Sequence, residues 1–180
     1  MVNMPEMRLL EELKACGAIL YGDFTLASGK KSKYYIDIKK ASTDPKLLAK
    51  IAEGMAVEVL AQGSLPDRIA GVVLGSIPLA VALSLRTGIP FVMVRKEKKD
   101  HGTSKLIEGT LNPGDRVLVV EDVVTSAVSS SEAVNTLRGS GAKVEMVLAV
   151  IDRQEGGEAK LEEMGVKLRA LLTAEEVLRG

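Results

Sequence analysis

The sequence predicts an α/β domain, a parallel sheet flanked by helices with a small amino-terminal hood. Short, almost wholly aliphatic runs recur along the chain, as strands buried on both faces require. Segments with apolar residues at helical spacing separate them, so the runs are joined by right-handed crossovers rather than hairpins. Between Asp23 and Lys39 that rhythm breaks into tyrosine-bearing extended pieces around a polar turn, which form the hood. At 180 residues the chain has room for a single domain, 1–180, with the hood mainly in 1–40.

Met7, Leu9, Leu10 and Leu13 recur at helical spacing and stop before Gly17, predicting a short amphipathic helix. Phe24-Thr25-Leu26 and Tyr34-Tyr35-Ile36-Asp37-Ile38 then flank Ser28-Gly29-Lys30-Lys31-Ser32 as a hairpin. Asp44 suits an N-cap and Pro45 a first turn. The helix they open has Leu47, Leu48, Ile51, Ala52, Met55, Ala56, Val59 and Leu60 on one face and ends before Gly63. A strand from Arg68 to Leu74, a helix from Ile77 to Arg86 ended by Gly88, and a strand from Phe91 to Val94 follow. Residues 95–109 are densely charged and read as a loop. Val117 to Val120 forms the next strand and delivers Glu121 and Asp122 to its end. A Ser- and Thr-rich turn leads on to a helix containing Ala133, Val134 and Leu137 that stops near Gly139. Val144 to Ile151 is a buried strand. The tail adds a short helix around Leu161 and Met164, a strand from Val166 to Leu172, and a helix opening at Thr173 with Glu176 in capping-box position.

Composition narrows the function. Lys plus Arg number 24 and Asp plus Glu 24, so no blanket basic surface exists for nucleic acid and phosphate chemistry has to be local. Aromatics make up 3%, too few for base-stacking platforms. A single cysteine, Cys16, excludes an internal disulfide, and a single histidine, His101, excludes paired metal histidines. The start of the chain lacks the pattern of a secretory signal, and the uncharged run Ile69 to Leu85 is broken by Gly71, Gly75, Ser76 and Pro78, so no membrane span is expected. A cytoplasmic protein is expected.

In such sheets ligands gather at the carboxyl ends of the strands, here the loops after Leu74, Val94, Val120 and Ile151. Glu121 and Asp122 can accept hydrogen bonds from a vicinal diol, while the amides and hydroxyls of Thr125 to Ser129, leading into a helix, can hold a phosphate. No lysine lies in Val117 to Ser129, so the turn is not a P-loop. A plain structural reading stays open: a solvated acidic pair, with Ser129 and Glu132 forming a capping box. Residues 95–109 leave a local positive excess suited to a pyrophosphate leaving group, with His101 beside Lys99, or else a solvated surface loop. Arg153, at a strand end, supplies a planar cation for a planar anion, or else pairs with Asp152 or Glu155.

Val117-Leu118-Val119-Val120-Glu121-Asp122-Val123-Val124-Thr125 resembles the phosphoribosyl diphosphate (PRPP) signature of type I phosphoribosyltransferases. Within that family the chain is similar to the orotate phosphoribosyltransferases, on the stretches Phe24 to Tyr35, Arg95 to Gly102 and Asp152 to Gly157, which occur in the family's order. The resemblance implies the type I phosphoribosyltransferase fold and transfer of ribose 5-phosphate from PRPP to orotate, giving orotidine 5′-monophosphate and pyrophosphate in de novo pyrimidine (UMP) synthesis. It implies that Glu121 and Asp122 hold the ribose hydroxyls, that Val123 and Val124 belong to the PRPP site, and that Thr125, Ser126, Ala127, Val128 and Ser129 surround the 5-phosphate. Arg95, Lys96, Lys99 and His101 become diphosphate contacts. The resemblance further implies that Lys99 leads catalysis, with His101 and Asp122 as the other catalytic residues, and that the loop 95–109 is shared between the subunits of a homodimer. Arg153 and Thr125 become orotate contacts, Tyr34-Tyr35, Ser28-Gly29 and Lys30 parts of the hood, and Gly71 to Pro78 the pyrophosphate loop. Mg²⁺ is implied as a cofactor held mainly through the substrate, with no protein-only metal site.

The chain departs from the pattern where Ser126-Ala127-Val128 replaces a Gly-containing turn. Val128, being β-branched, is expected to resist unusual dihedrals and weaken phosphate binding. Some relatives carry Lys where this chain has Ala27. Two other functions stay open: a phosphoribosyltransferase for another base, and a non-catalytic PRPP-binding regulator. The presence of Lys99 and His101 and the lack of a DNA-binding segment count against the regulator.

Overall fold

A computed structural model describes residues 4–25, 29, 31–95 and 106–179, with side chains from Arg8 onward. Helix α1 (Met4–Ala15) buries Leu10 and Leu13 and turns at Gly17, whose φ of 75° suits glycine. Strands β1 (Ile19–Thr25) and β2 (Lys31–Ile36) form the expected antiparallel hairpin, Ile19 opposite Ile36 and Thr25 opposite Lys31. The hairpin starts earlier than Phe24, and its second strand stops before Ile38. There the Asp37 carboxylate accepts from the Lys39 N–H at 3.3 Å and starts a helix, α2 (Ile38–Ser42). The extended reading of Ile38 is therefore corrected: a local Asp cap outweighs its β-branched preference.

Helix α3 (Pro45–Leu60) is capped by Asp44, which accepts from the N–H groups of Lys46 and Leu47, both at 2.9 Å. Its buried face runs from Ile51 to Val59. Leu47 and Leu48 are only partly covered, and Leu60, expected on that face, is 64% exposed in the helix's last position. Strand β3 (Arg68–Val72) ends short of the expected Leu74: the Val73 N–H still donates to Val94 O at 2.9 Å, and the chain then turns away from the sheet. Helix α4 (Ile77–Thr87) closes on Gly88 and strand β4 (Phe91–Val94) follows, both as expected. The charged segment 95–109 is not all loop, since β5 (Ile107–Glu108) pairs antiparallel with β4. A strand that short leaves no periodicity to read.

Strand β6 (Arg116–Val124) does not stop at Val120 but carries the acidic pair inside it, Val124 still pairing with Asp152. Helix α5 (Val128–Gly139), strand β7 (Lys143–Asp152), helix α6 (Gly157–Glu162) and strand β8 (Lys167–Thr173) follow. Met164, expected in the sixth helix, lies in the turn after it. Helix α7 (Ala174–Arg179) shows the expected capping box: Glu176 accepts from the Thr173 N–H at 2.7 Å, and the Thr173 hydroxyl accepts from the Glu176 N–H at 3.3 Å.

Among the described residues the main sheet has the order β5-β4-β3-β6-β7-β8, parallel throughout except at the β5 edge. Alternate side chains of β6 enter separate cores. Leu118 and Val120 pack with Ile51, Met55, Leu79 and Leu83, while Val117 and Val119 pack with Val134, Leu137 and Leu161. From β3 the chain moves outward to β4 and then returns past β3 to β6. The order thus reverses between β3 and β6, and a crevice opens at their carboxyl ends.

At the opposite ends of this pair, Asp67 accepts from the Arg116 N–H at 2.8 Å and its Nε at 3.4 Å, while the Asp67 N–H donates to Arg116 O at 2.8 Å. The hydrogen bond from the Arg116 backbone holds the Asp67 carboxyl below its ordinary 3.8. A depressed folded value means that the contribution is present above 3.8 and lost as pH falls through the lower folded value. Asp67→Asn is therefore expected to melt below the parent at neutral pH, with the gap closing on acidification; melting curves over a pH series check this. At the site end, a Cβ on Gly157 would stand 2.6 Å from Val124 Cγ1 and 2.7 Å from Thr125 O. Gly157→Ala is expected to cost about 1–3 kcal/mol of unfolding free energy by overpacking, measured by denaturant titration.

Candidate functional site

At the carboxyl ends of β3 and β6 lies a cleft of about 480 Å³, lined by Lys39, Val72 to Gly75 and Glu121 to Ser130. Glu121 is buried, and its Oε1 accepts from the Ser130 hydroxyl of α5 at 3.2 Å. Asp122, one residue on and so on the other face of the strand, is half-buried and accepts from the Val123 N–H at 2.8 Å. Its second carboxylate oxygen lies over Gly75, where any Cβ would come within 2.2 Å of it. Glycine at 75 is thus a condition for Asp122 to occupy the cleft. The buried Ser76 hydroxyl accepts from the Val72 N–H at 2.7 Å and donates to Val72 O at 2.8 Å, folding the 73–75 loop back onto its own strand. The Val73–Leu74 peptide within that loop is cis.

Thr125, Ser126 and Ala127 turn the chain from β6 into α5. Ala127 is the helix N-cap in the left-handed region, φ 55°, and no side chain caps the first turn. The Ser129 and Glu132 capping box is therefore corrected. The residue that needs glycine-like freedom is Ala127, not Val128, which begins the helix half exposed to solvent. Alanine takes this conformation at a cost of about 1–2 kcal/mol, and burial of its methyl against the β6–α5 core helps to hold it. The uncapped amides of the first turn, at the positive end of a 12-residue helix, form a place for an anion.

All the residues expected from Glu121 to Ser129 thus line one cleft with the 73–75 loop. Arg95 does not. It lines a neighbouring recess with Val72, Ser129 and Glu132, 3.6 Å from Glu108. Arg153 is buried, its Nε donating to Glu155 at 2.8 Å, and its guanidinium lies 4.8 Å from the centre of the Tyr34 ring. Both readings of Arg153 therefore hold at once: it is paired, and it lies against a hood aromatic. Its own N–H donates to Val124 O at 2.8 Å, which fixes it beside Thr125. Tyr35 faces outward beside Phe24, ring centres 5.7 Å apart. Lys96, Lys99 and His101, with Ala27, Ser28 and Lys30, lie outside the described residues.

Two residues of the site escaped the sequence reading. Ser130 was covered by the helix that contains it. Lys39 bounds the hood region just beyond the extended piece Tyr34 to Ile38, and only the Asp37 cap, three residues after the tyrosine pair begins, signals a turn there. Asp37 holds the Lys39 ammonium at 3.0 Å. That hydrogen bond, assisted by the charges of Asp37 and Asp122, raises the Lys39 pKa above its ordinary 10.5 against the opposing effect of burial.

Among the described residues no helix is long and apolar enough to cross a membrane. Residues 40–168 match the phosphoribosyl transferase domain. The orotate phosphoribosyltransferase of Methanosarcina acetivorans is 49% identical over 178 residues, 99% of this chain and 94% of its own. The crystal structure of orotate phosphoribosyltransferase from Aeropyrum pernix matches with a TM-score of 0.85 at 37% identity, covering 95% of this chain and 96% of that one. The Mycobacterium tuberculosis enzyme in complex with PRPP matches with a TM-score of 0.78 at 29% identity, over 96% of this chain and 98% of that one. With its parallel sheet, its acidic pair and nearly its whole length matched, the chain belongs to the orotate phosphoribosyltransferase family of phosphoribosyl transferases.

Proposed function

We infer that this protein transfers the ribose 5-phosphate of PRPP to a ring nitrogen of orotate, forming orotidine 5′-monophosphate and pyrophosphate in pyrimidine synthesis. The observation that carries the reading is the pairing, in one cleft, of the carboxylates Glu121 and Asp122 with an uncapped helix terminus, in a chain of this family. The bond from the ribose C1 to the diphosphate breaks, the bond from C1 to nitrogen forms, and the ring nitrogen gives up its proton. Positive charge develops on the sugar between these events. Asp122, with Glu121 below it, lies where carboxylates stabilise that charge and accept from the ribose hydroxyls. Thr125 to Ser129 and the first amides of α5 receive the 5-phosphate. Arg153, oriented by Glu155 and Tyr34, offers a planar donor to the carboxylate of orotate, with Thr125 beside it.

The donor set fits Mg²⁺ carried by the substrate. The cleft offers Glu121 and Asp122, and a small hard cation is held by one or two carboxylates together with phosphate oxygens and water. Mg²⁺ there would neutralise diphosphate charge as the leaving group departs. Lys96, Lys99 and His101 are proposed as further diphosphate contacts, with Arg95 reaching the same anion from the neighbouring recess and the loop 95–109 shared across a homodimer. Val57, Leu60 and Leu85, exposed on α3 and α4, offer apolar area that a second copy would cover.

The purified protein, given PRPP, Mg²⁺ and each candidate base in turn, is expected to release pyrophosphate only with orotate. Release with a purine and none with orotate would overturn the acceptor, and PRPP binding without turnover would favour a regulator. Lys99→Ala is expected to lower kcat by about 100-fold or more while changing the Michaelis constant for orotate little, a split seen only when a residue acts mainly in the transition state. Ala127→Gly is expected to leave the Michaelis constant for PRPP within about threefold, because the turn already holds its left-handed geometry, whereas Ala127→Val is expected to raise it sharply. Initial rates at varied PRPP check both.

A further inference from the structure

Lys39 is the one cation among the described residues that line the cleft, which it shares with Glu121 and Asp122. A sugar diphosphate brings several negative charges into this space, and the described 73–75 segment of the pyrophosphate loop supplies no charged side chain. Lys39 is held for such a task. Its ammonium is 3.0 Å from Asp37 Oδ1, and the same oxygen accepts from the Lys39 backbone N–H at 3.3 Å, so one carboxylate both starts α2 and tethers the side chain it presents. The side chain remains more than half exposed, so its remaining donors are open to a ligand. Asp122 lies against Gly75, and Lys39 feels the charge of Asp122. Lys39 and the 73–75 loop thus flank the same carboxylate.

We propose that Lys39 binds the diphosphate of PRPP, with Asp37 as its positioning residue, so that part of the cation set for the leaving group is built into the hood side of the same chain. The ammonium donates to a diphosphate oxygen and offsets the repulsion between that anion and Asp122. This inference rests on the phosphoribosyl transfer reading above.

The test compares the full-length parent with Lys39→Ala, Lys39→Arg and Asp37→Asn, each first shown by its melting curve to be folded. Lys39→Ala is expected to raise the Michaelis constant for PRPP about tenfold or more, as loss of a charge-assisted hydrogen bond does, with that for orotate within about twofold. Lys39→Arg is expected to recover most of the loss, and Asp37→Asn to fall between. Calorimetric binding of inorganic pyrophosphate with Mg²⁺, which needs no acceptor base, is expected to weaken in the same order. An unchanged PRPP constant in Lys39→Ala, or a shift confined to orotate, would overturn the proposal, as would equal pyrophosphate affinity in parent and variant. Failure of the parent to turn over orotate would instead sink the reading of the reaction, and the pyrophosphate titration would still decide the role of Lys39.

Discussion

The parallel ladder between β3 and β6, Arg68 to Gly71 against Val117 to Val120, brings two loops distant in sequence to the same crevice. Parallel strands need a crossover, and here the intervening chain goes outward through α4 and β4 before it returns. The return makes β3 and β6 neighbours whose following loops diverge to opposite faces of the sheet, leaving room between them. Asp67 and Arg116 tie the pair at its other end, and the aliphatic side chains of β6 anchor it in both cores. Without that ladder the 73–75 loop and the acidic pair would have no common space.

Within the crevice, geometry is set by how closely backbone can approach side chain. Asp122 fits only because Gly75 lacks a Cβ, and the β6–α5 turn seats against α6 only because Gly157 lacks one. Glu121 and Asp122, adjacent in sequence, end in different surroundings because a strand sends neighbours to opposite faces. One is buried and bonded to Ser130 of α5, the other half-open beside Gly75. The same pleat gives the pair a supporting member and an accessible one. The hood closes the far side through a different set of contacts: Tyr34 is buried and stacked by Arg153, and the Tyr21 hydroxyl donates to Val177 O of α7 at 2.5 Å.

Where pattern extends over several turns or a whole strand, sequence and structure agree. The face from Ile51 to Val59, the Asp44 cap, the Gly88 stop and the Thr173–Glu176 box are local rules with local causes. Disagreement falls where the element is short or the neighbour is distant. Helix α2 has five residues and no period to detect, and β5 has two. Leu60 continues the apolar pattern of α3 but stays 64% exposed at the helix's end. Strand β6 runs past the aliphatic stretch through Glu121 and Asp122 because β7 beside it supplies the ladder, and a carboxylate inside a strand is tolerated when Ser130 answers it.

The balance of charge shows the same division. From the sequence alone come the equal totals of acids and bases, the acidic pair in its aliphatic run, the basic segment after Val94 and the single Arg153 at a strand end, and with them the family and its chemistry. These are legible because residue type and spacing survive without knowledge of the fold. Tertiary structure alone decided that Arg95 faces a neighbouring recess, that Ala127 rather than Val128 takes the left-handed turn, and that Lys39 enters the cleft beside Asp122. The reason is physical. A charge acts over a few ångströms of space, and which charges share that space is fixed by strand order and loop closure, which bring Lys39 to a carboxylate more than eighty positions away.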